Sequence, residues 1–340
     1  MKKNAFVISL LLLMTSCLTK DNKNTDFIIA FGSCNNQNLT NELWPSIQNS
    51  NPNLWIWGGD IIYSDTDDMA VLQKNYQKQK SQKGYEQLLS NTDLMGTWDD
   101  HDYGMNDGGA SYPHKWASQQ LFLDFFDVPQ NSPRRLQKGV YEARDFKVDD
   151  VIIKVITLDT RYFRSDLNPN PFGKKRYIKS EDPKATMLGD QQWKWLSETL
   201  YNSKANYHVI LTSIQFLSDK HGFETWGNFP LEQERLKSLL VLSEANNPII
   251  LSGDRHISEF SEVEVKGLDH TLVDFTSSGM THAYTNFTSE DNPSRKGRVI
   301  SEKSFGVLNF DIENETVNLQ MIGQDGKVLQ EINQSFKSKQ

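Results

Sequence analysis

A chain of 340 residues that is 37% hydrophobic carries enough apolar side chains for one large core or two modest domains, and it is not a disordered chain. Its 44 acidic residues outnumber 36 basic ones for a formal charge of −8, which argues against nonspecific nucleic-acid binding. An acidic protein that handles an anionic substrate must concentrate positive charge locally, and bound metal ions do that.

Residues 1–16 read as a lipoprotein signal peptide, with a charged start at Lys2 and Lys3, an apolar stretch from Ala5 to Met14 that is too short to span a bilayer, and a Met14-Thr-Ser-Cys17 cleavage box. Residues 17–25 are then expected to form a polar tether lipidated on Cys17, and 26–335 a single domain, exported and anchored to a bacterial membrane on its periplasmic or cell-surface face. Loss of Lys2 and Lys3 takes the charge to −10. With Cys17 committed to lipid, Cys34 has no partner for an internal disulfide, so its thiol is expected to be buried or ligated.

Asp26 to Gly32 reads as a strand ending in a Gly-Ser turn that carries Cys34, with a short helix from about Thr40. The run Leu54-Trp-Ile-Trp57 after Pro52 is apolar on both faces, and Gly58-Gly59 release it into a turn presenting Asp60 and Tyr63. Asp67 to Ser90 spaces Met69, Leu72, Tyr76, Tyr85, Leu88 and Leu89 for one or two covering helices. A third strand, Asp93 to Trp98, delivers four carboxylates and a histidine within the nine residues Asp99 to Asp107, which would repel one another in a compact loop unless cations neutralise them.

Trp116 to Val128 is a core-packing helix. Val151 to Thr160 is a buried strand leading to Arg161, a candidate fork for an anionic substrate, while Arg164, Lys174, Lys175 and Arg176 belong to a Pro-containing lid-like loop as surface charge. Asp190 is the expected cap of a helix through Trp193 and Leu196. Tyr207 to Leu217 is strand-like and carries Gln215; a helix follows from Leu231. Pro248 to Ser252 is a strand followed by Gly253-Asp254-Arg255-His256, and alternating strands are expected at 304–311, 315–322 and 327–333.

The strand-end loops bearing Cys34, Asp60, Tyr63, Asp100, His101, Gln215, Asp254 and His256 converge if their strands lie side by side, as under the ligand site of a parallel or mixed sheet. Together they offer sulfur, nitrogen and oxygen donors for two metal ions. Thiolate with phenolate suits a trivalent or soft ion, and carboxylates with an amide a harder divalent one.

Seven stretches, Phe31 to Cys34, Gly59 to Tyr63, Trp98 to Asp102, Asp159 to Arg161, Ser213 to Gln215, Trp226 to Pro230 and Ser252 to His256, resemble in the same order the motifs of the alkaline phosphatase D (PhoD-like) metallophosphoesterases. The match runs from about Phe31 to His282. The resemblance implies a four-layer α/β/β/α sandwich with two mixed sheets and hydrolysis of phosphate esters, with Fe3+ and Ca2+, or another divalent ion, as cofactors. It places Cys34, Asp60, Tyr63 and His256 on iron, with Asp60 bridging to a second ion held by Asp100, Gln215 and Asp254. It makes His101 the acid or hydrogen-bond donor near the leaving oxygen, and Arg161 and Asn106 the phosphate contacts. Family members often carry an extra β-sandwich before the catalytic domain, and the short stretch between Cys17 and Asp26 leaves no room to expect it. Two rivals differ in outcome: the same fold acting on a sulfate or phospholipid-headgroup ester, and a calcium-stabilised surface lipoprotein that captures glycans.

Overall fold

The structure is a computed structural model and describes residues 26–336 except 174. The expected leader, Cys17 and its tether, and Lys174 lie outside the described residues.

Strand β1 (Asp26–Gly32) is followed by helix α1 (Trp44–Asn49), β2 (Leu54–Gly58), α2 (Met69–Lys80), α3 (Lys83–Leu89), β3 (Asp93–Thr97), the short α4 (Asp100–Tyr103) and α5 (Lys115–Phe125). The second half contributes β4 (Glu142–Val148), β5 (Val151–Thr157), a small hairpin of β6 (Asn168–Pro169) and β7 (Tyr177–Ile178), α6 (Gly189–Tyr201), β8 (Tyr207–Leu211) and α7 (Pro230–Leu242). It closes with β9 (Pro248–Ser252), β10 (Ser258–Val263), β11 (Leu272–Thr276), β12 (Arg295–Ile300), β13 (Ser304–Asp311), β14 (Thr316–Gly323) and β15 (Val328–Ser335).

One sheet runs β15-β14-β13-β1-β2-β3 and the other β12-β10-β11-β9-β8-β5-β4. Alternation along β2 explains the layering. Trp55 and Trp57 point outward and pack with Trp44, Tyr85 and Leu88 of α1 and α3, while Leu54 and Ile56 point inward to meet Val155, Val209 and Leu251 of the second sheet. The second sheet repeats the pattern: Ile156, Ile210 and Ile250 face Trp193 and Leu196 of α6 and Leu236 and Leu240 of α7. Strands covered on both faces must be apolar at every position, which is why β2 is buried throughout and reads as an uninterrupted run. The result is helix, sheet, sheet, helix.

Two expectations change. Asp190 does not cap α6: Leu188 is the cap, Gly189 turns the chain at a φ of +65°, and Asp190 sits in the first turn, where its charge complements the helix dipole. The strand expected over 207–217 ends at Leu211, and Thr212 to Gln215 already form the loop above it.

Within the first sheet β1, β2 and β3 are parallel, and within the second β5, β8, β9 and β11 are parallel. The loops after these seven strands are where the sequence concentrates its polar residues, and the site is built from them.

Candidate metal centre

Two glycines let these turns close on one another. A Cβ on Gly59 would lie 2.5 Å from Cβ of Asp99, and one on Gly253 would lie 2.5 Å from Oγ of Ser33 and 2.9 Å from the Gly58 carbonyl, so the second sheet's turn could not seat on the first. Four donor-bearing residues take left-handed backbone conformations that L-residues rarely adopt: Cys34 (φ 57°), Asp60 (49°), Asp254 (69°) and His256 (54°). Strain repeated at four residues on three separate strand ends is the backbone signature of a site whose side chains are aimed.

The first donor group forms where the turns after β1, β2 and β9 meet. Sγ of Cys34 is 3.4 Å from Oδ2 of Asp60, and the Tyr63 hydroxyl is 3.3 Å from that same oxygen and 3.3 Å from Nε2 of His256. Nδ1 of His256 lies 3.1 Å from the His282 carbonyl and donates to it, which turns the Nε2 lone pair toward Tyr63. Gln37 steadies Tyr63 by bonding both its N–H and its carbonyl at 2.8 Å.

The second group lies on the other side of Asp60, whose Oδ1 accepts from the backbone N–H of His101 at 3.3 Å. Asp60, Asp100 and His101 bring one donor atom each within 4.8 Å of one another, and so do Asp60, Asp99 and Asp254. Asp60 is common to both, with one oxygen toward the thiol and phenol and the other toward the His101 turn.

Burial pushes the Cys34 thiol up to about 11 and holds Asp60, Tyr63 and Asp254 above their ordinary values, because each buried acid faces other acids. Oδ2 of Asp99 and Oδ1 of Asp100 are buried with no hydrogen-bond partner among the described residues. Buried, unpaired oxygens beside a thiol, a phenol and an imidazole fit cations. Two side chains already supply positive charge here, Arg161 against Asp99 and His101 beside Asp100. Burial would lower the pKa of His101, but the Asp65 carboxylate 2.7 Å from Nδ1 and the charges of Asp60 and Asp100 outweigh it and raise the imidazole to about 10. Its Nε2 lies 4.0 Å from Oδ1 of Asp100.

Three expected site residues fall differently. Arg161 is fully buried and does not fork toward a substrate: Nε donates to Asp99 at 2.6 Å and Nη1 to Glu224 at 2.6 Å, so its charge serves two buried carboxylates. Gln215 is also fully buried, and its Nε2 donates to Glu259 and Thr276; among the described residues no hydrogen bond joins it to the two donor groups, and its Oε1 has no partner. Asn106 lies exposed on the turn after α4, where the neighbouring Asp107 rather than Asn106 ties back, its N–H donating to Oδ2 of Asp100 at 2.7 Å. Arg164 is no surface charge: it is buried 2.8 Å from Glu224, whereas Arg176 is exposed and pairs with Asp107 at 2.6 Å.

Sequence reasoning missed Asp65 and Glu224 as site residues, and within the acidic cluster it took Asp100 rather than Asp99. Asp99 adjoins Asp100 in the same cluster, and its distant partners Arg161 and Ser213 distinguish the two. Glu224 sits in an unremarkable loop, and nothing local marks it.

A family model described as PhoD-like phosphatase matches residues 69–334, which include His101, Asp254 and His256. The alkaline phosphatase D of Bacillus subtilis (strain 168) is 27% identical over 187 residues, covering 50% of this chain and 32% of that protein, so the chain spans about a third of its length in that match. The solved structure of PhoD superposes with a TM-score of 0.70 at 18% identity, covering 91% of this chain and 68% of the other. GAP50, the anchor in the inner membrane complex of Plasmodium, superposes with a TM-score of 0.61 at 12% identity, covering 92% of this chain and 90% of the other. At such identities the two structures establish a shared fold. The family model spans far more than half of the sequence, and the chain belongs to the PhoD-like phosphatase family.

Proposed function

We propose that the protein is a metal-dependent phosphoesterase that hydrolyses phosphate esters at a two-metal site. The observation that carries this reading is the position of Asp60, whose two oxygens face two different donor groups. Cys34, Asp60, Tyr63 and His256 would hold ferric iron, and Asp60, Asp100 and Asp254 calcium or another divalent ion, with Asp99 beside them. Two such cations supply Lewis acidity, neutralising a phosphate and making water acidic enough to attack near neutral pH.

The chain's own residues supply orientation and the proton. Asp65 fixes the His101 ring through Nδ1, leaving Nε2–H as the donor to the departing oxygen. Arg161 holds Asp99 from behind and offsets part of the burial that raises its carboxyl to about 7, and Asn106, exposed on the turn after α4, would contact a phosphate oxygen. Lys2, Lys3, the apolar stretch to Met14 and Cys17 support export and lipid anchoring as part of the same proposal.

The test is metal analysis of the purified protein together with turnover of chromogenic phosphate monoesters and diesters. Iron with turnover supports the reading. Calcium without turnover of any ester overturns it and favours the glycan-binding alternative.

A further inference from the structure

Ser278 follows β11 and is fully buried. Its hydroxyl oxygen accepts from the backbone N–H of His256 at 2.7 Å and lies 3.0 Å from Sγ of Cys34. A backbone N–H only donates, so the hydroxyl proton is left for the sulfur. Two other hydroxyls lie near the thiol: Ser33 is 3.8 Å from Sγ and is placed to give its proton to the Ser277 carbonyl at 3.1 Å, and Tyr63 is turned to Oδ2 of Asp60 and Nε2 of His256, each at 3.3 Å. The Ser278 hydroxyl therefore joins the turn after β1 to the turn after β9, with the sulfur on one side and the His256 N–H on the other.

We propose that Ser278 is a positioning residue that donates a hydrogen bond to the metal-facing thiolate of Cys34, setting its distance from the His256 turn and its electron-donating strength. The inference rests on the reading of Cys34 as a metal ligand. A hydrogen bond to a coordinated thiolate draws electron density off the sulfur, which raises the energy needed to move an electron from sulfur to metal. Ser278 touches neither a substrate nor the reacting atoms in this arrangement; it acts through Cys34.

Cobalt(II) serves as the probe, because a cobalt-bound thiolate has its own near-ultraviolet charge-transfer band. The band, the cobalt content and the circular dichroism are compared for the wild-type chain, Cys34→Ser, Ser278→Ala and Ser278→Thr. The expected result is a band that Cys34→Ser removes, that Ser278→Ala moves to longer wavelength at full cobalt loading, and that Ser278→Thr returns to its wild-type position. Cobalt affinity in Ser278→Ala should fall about tenfold to a hundredfold. A Ser278→Ala band at the wild-type wavelength overturns the proposal. A wild-type protein whose spectrum matches Cys34→Ser takes Cys34 out of the metal set and overturns both this inference and the reading beneath it. Should Ser278→Ala fail to fold, resonance Raman of the wild-type protein decides: a cobalt–sulfur stretch that shifts in D2O supports the hydroxyl donor, and one that stays put overturns it.

Discussion

The hydroxyl of Tyr63 and Nε2 of His256 lie 3.3 Å apart across 193 residues of chain, one on the turn after β2 and the other on the turn after β9. Each is fixed by a separate device, Gln37 for Tyr63 and the His282 carbonyl for His256. Two rings so constrained meet at a common point, and a phenolate at that point should colour a bound ferric ion through charge transfer. Tyr63→Phe, which keeps the ring and removes the oxygen, should fold normally and lose that visible band. A variant that keeps full colour would exclude Tyr63 from the iron.

Asp60 is the group that no other residue duplicates, because both donor groups include it. Asp60→Asn keeps the shape and removes the charge. It should lower the content of both metals, measured by plasma mass spectrometry, and reduce turnover by at least about a hundredfold. Wild-type metal content with wild-type turnover would remove the bridge from the proposal.

His101 combines a ring nitrogen fixed by Asp65 with a second one facing the acidic pocket. As a general acid it should contribute about 10²- to 10⁴-fold, and only where the leaving oxygen needs a proton. His101→Ala should therefore lose far more rate on an alkyl phosphate than on a nitrophenyl phosphate, with bound metal unchanged. Equal losses on both would assign it a structural role. Asp65→Asn should give the same leaving-group dependence at smaller amplitude.

Much of this frame was legible because both sheets are covered on both faces: a strand such as Leu54 to Gly58 has to be apolar throughout, and the polar residue that ends it stands out. Asp60, Asp254 and His256 were readable for that reason, each following a Gly-ended or Ser-Gly-ended buried strand. The edge strands β4 and β12 were not, since residues such as Asp145, Lys147, Lys296 and Arg298 face solvent and break the apolar run. Arg161 shows the other limit. Its residue type suits a phosphate, and its actual partners, Asp99 and Glu224, lie 62 and 63 residues away in sequence, where no local pattern points to them.

That buried ion network makes a separable forecast. With Arg161 removed, Asp99 and Glu224 are left in the interior with one guanidinium, that of Arg164, against Glu224. Arg161→Ala should cost about 3–5 kcal/mol in denaturant unfolding, and Arg161→Lys should rescue little because one ammonium cannot replace a fork between two carboxylates. A direct phosphate contact would instead raise KM and leave stability unchanged, so the pair of measurements distinguishes the two roles.

The pH dependence of stability should change sense with metal. In the metal-free protein His101 is raised to about 10 from an ordinary value near 6.5. Between those values the folded state holds a proton that the unfolded chain has released, so its contribution is complete below about pH 6.5 and is lost as pH rises through about 10. Asp60 and Asp254 act in the same direction, because burial raises them too and the folded state again binds protons more tightly. The metal-free melting temperature should therefore fall steadily from neutral to alkaline pH. Bound cations favour the ionised carboxylates, thiolate and phenolate, and the loaded protein should be flat or rise over that range up to the point where the metal is lost as hydroxide. Calorimetry of metal-free and loaded protein at matched pH is the measurement. Parallel curves would mean that the buried acids are satisfied without metal and would remove the electrostatic basis for the two-cation site.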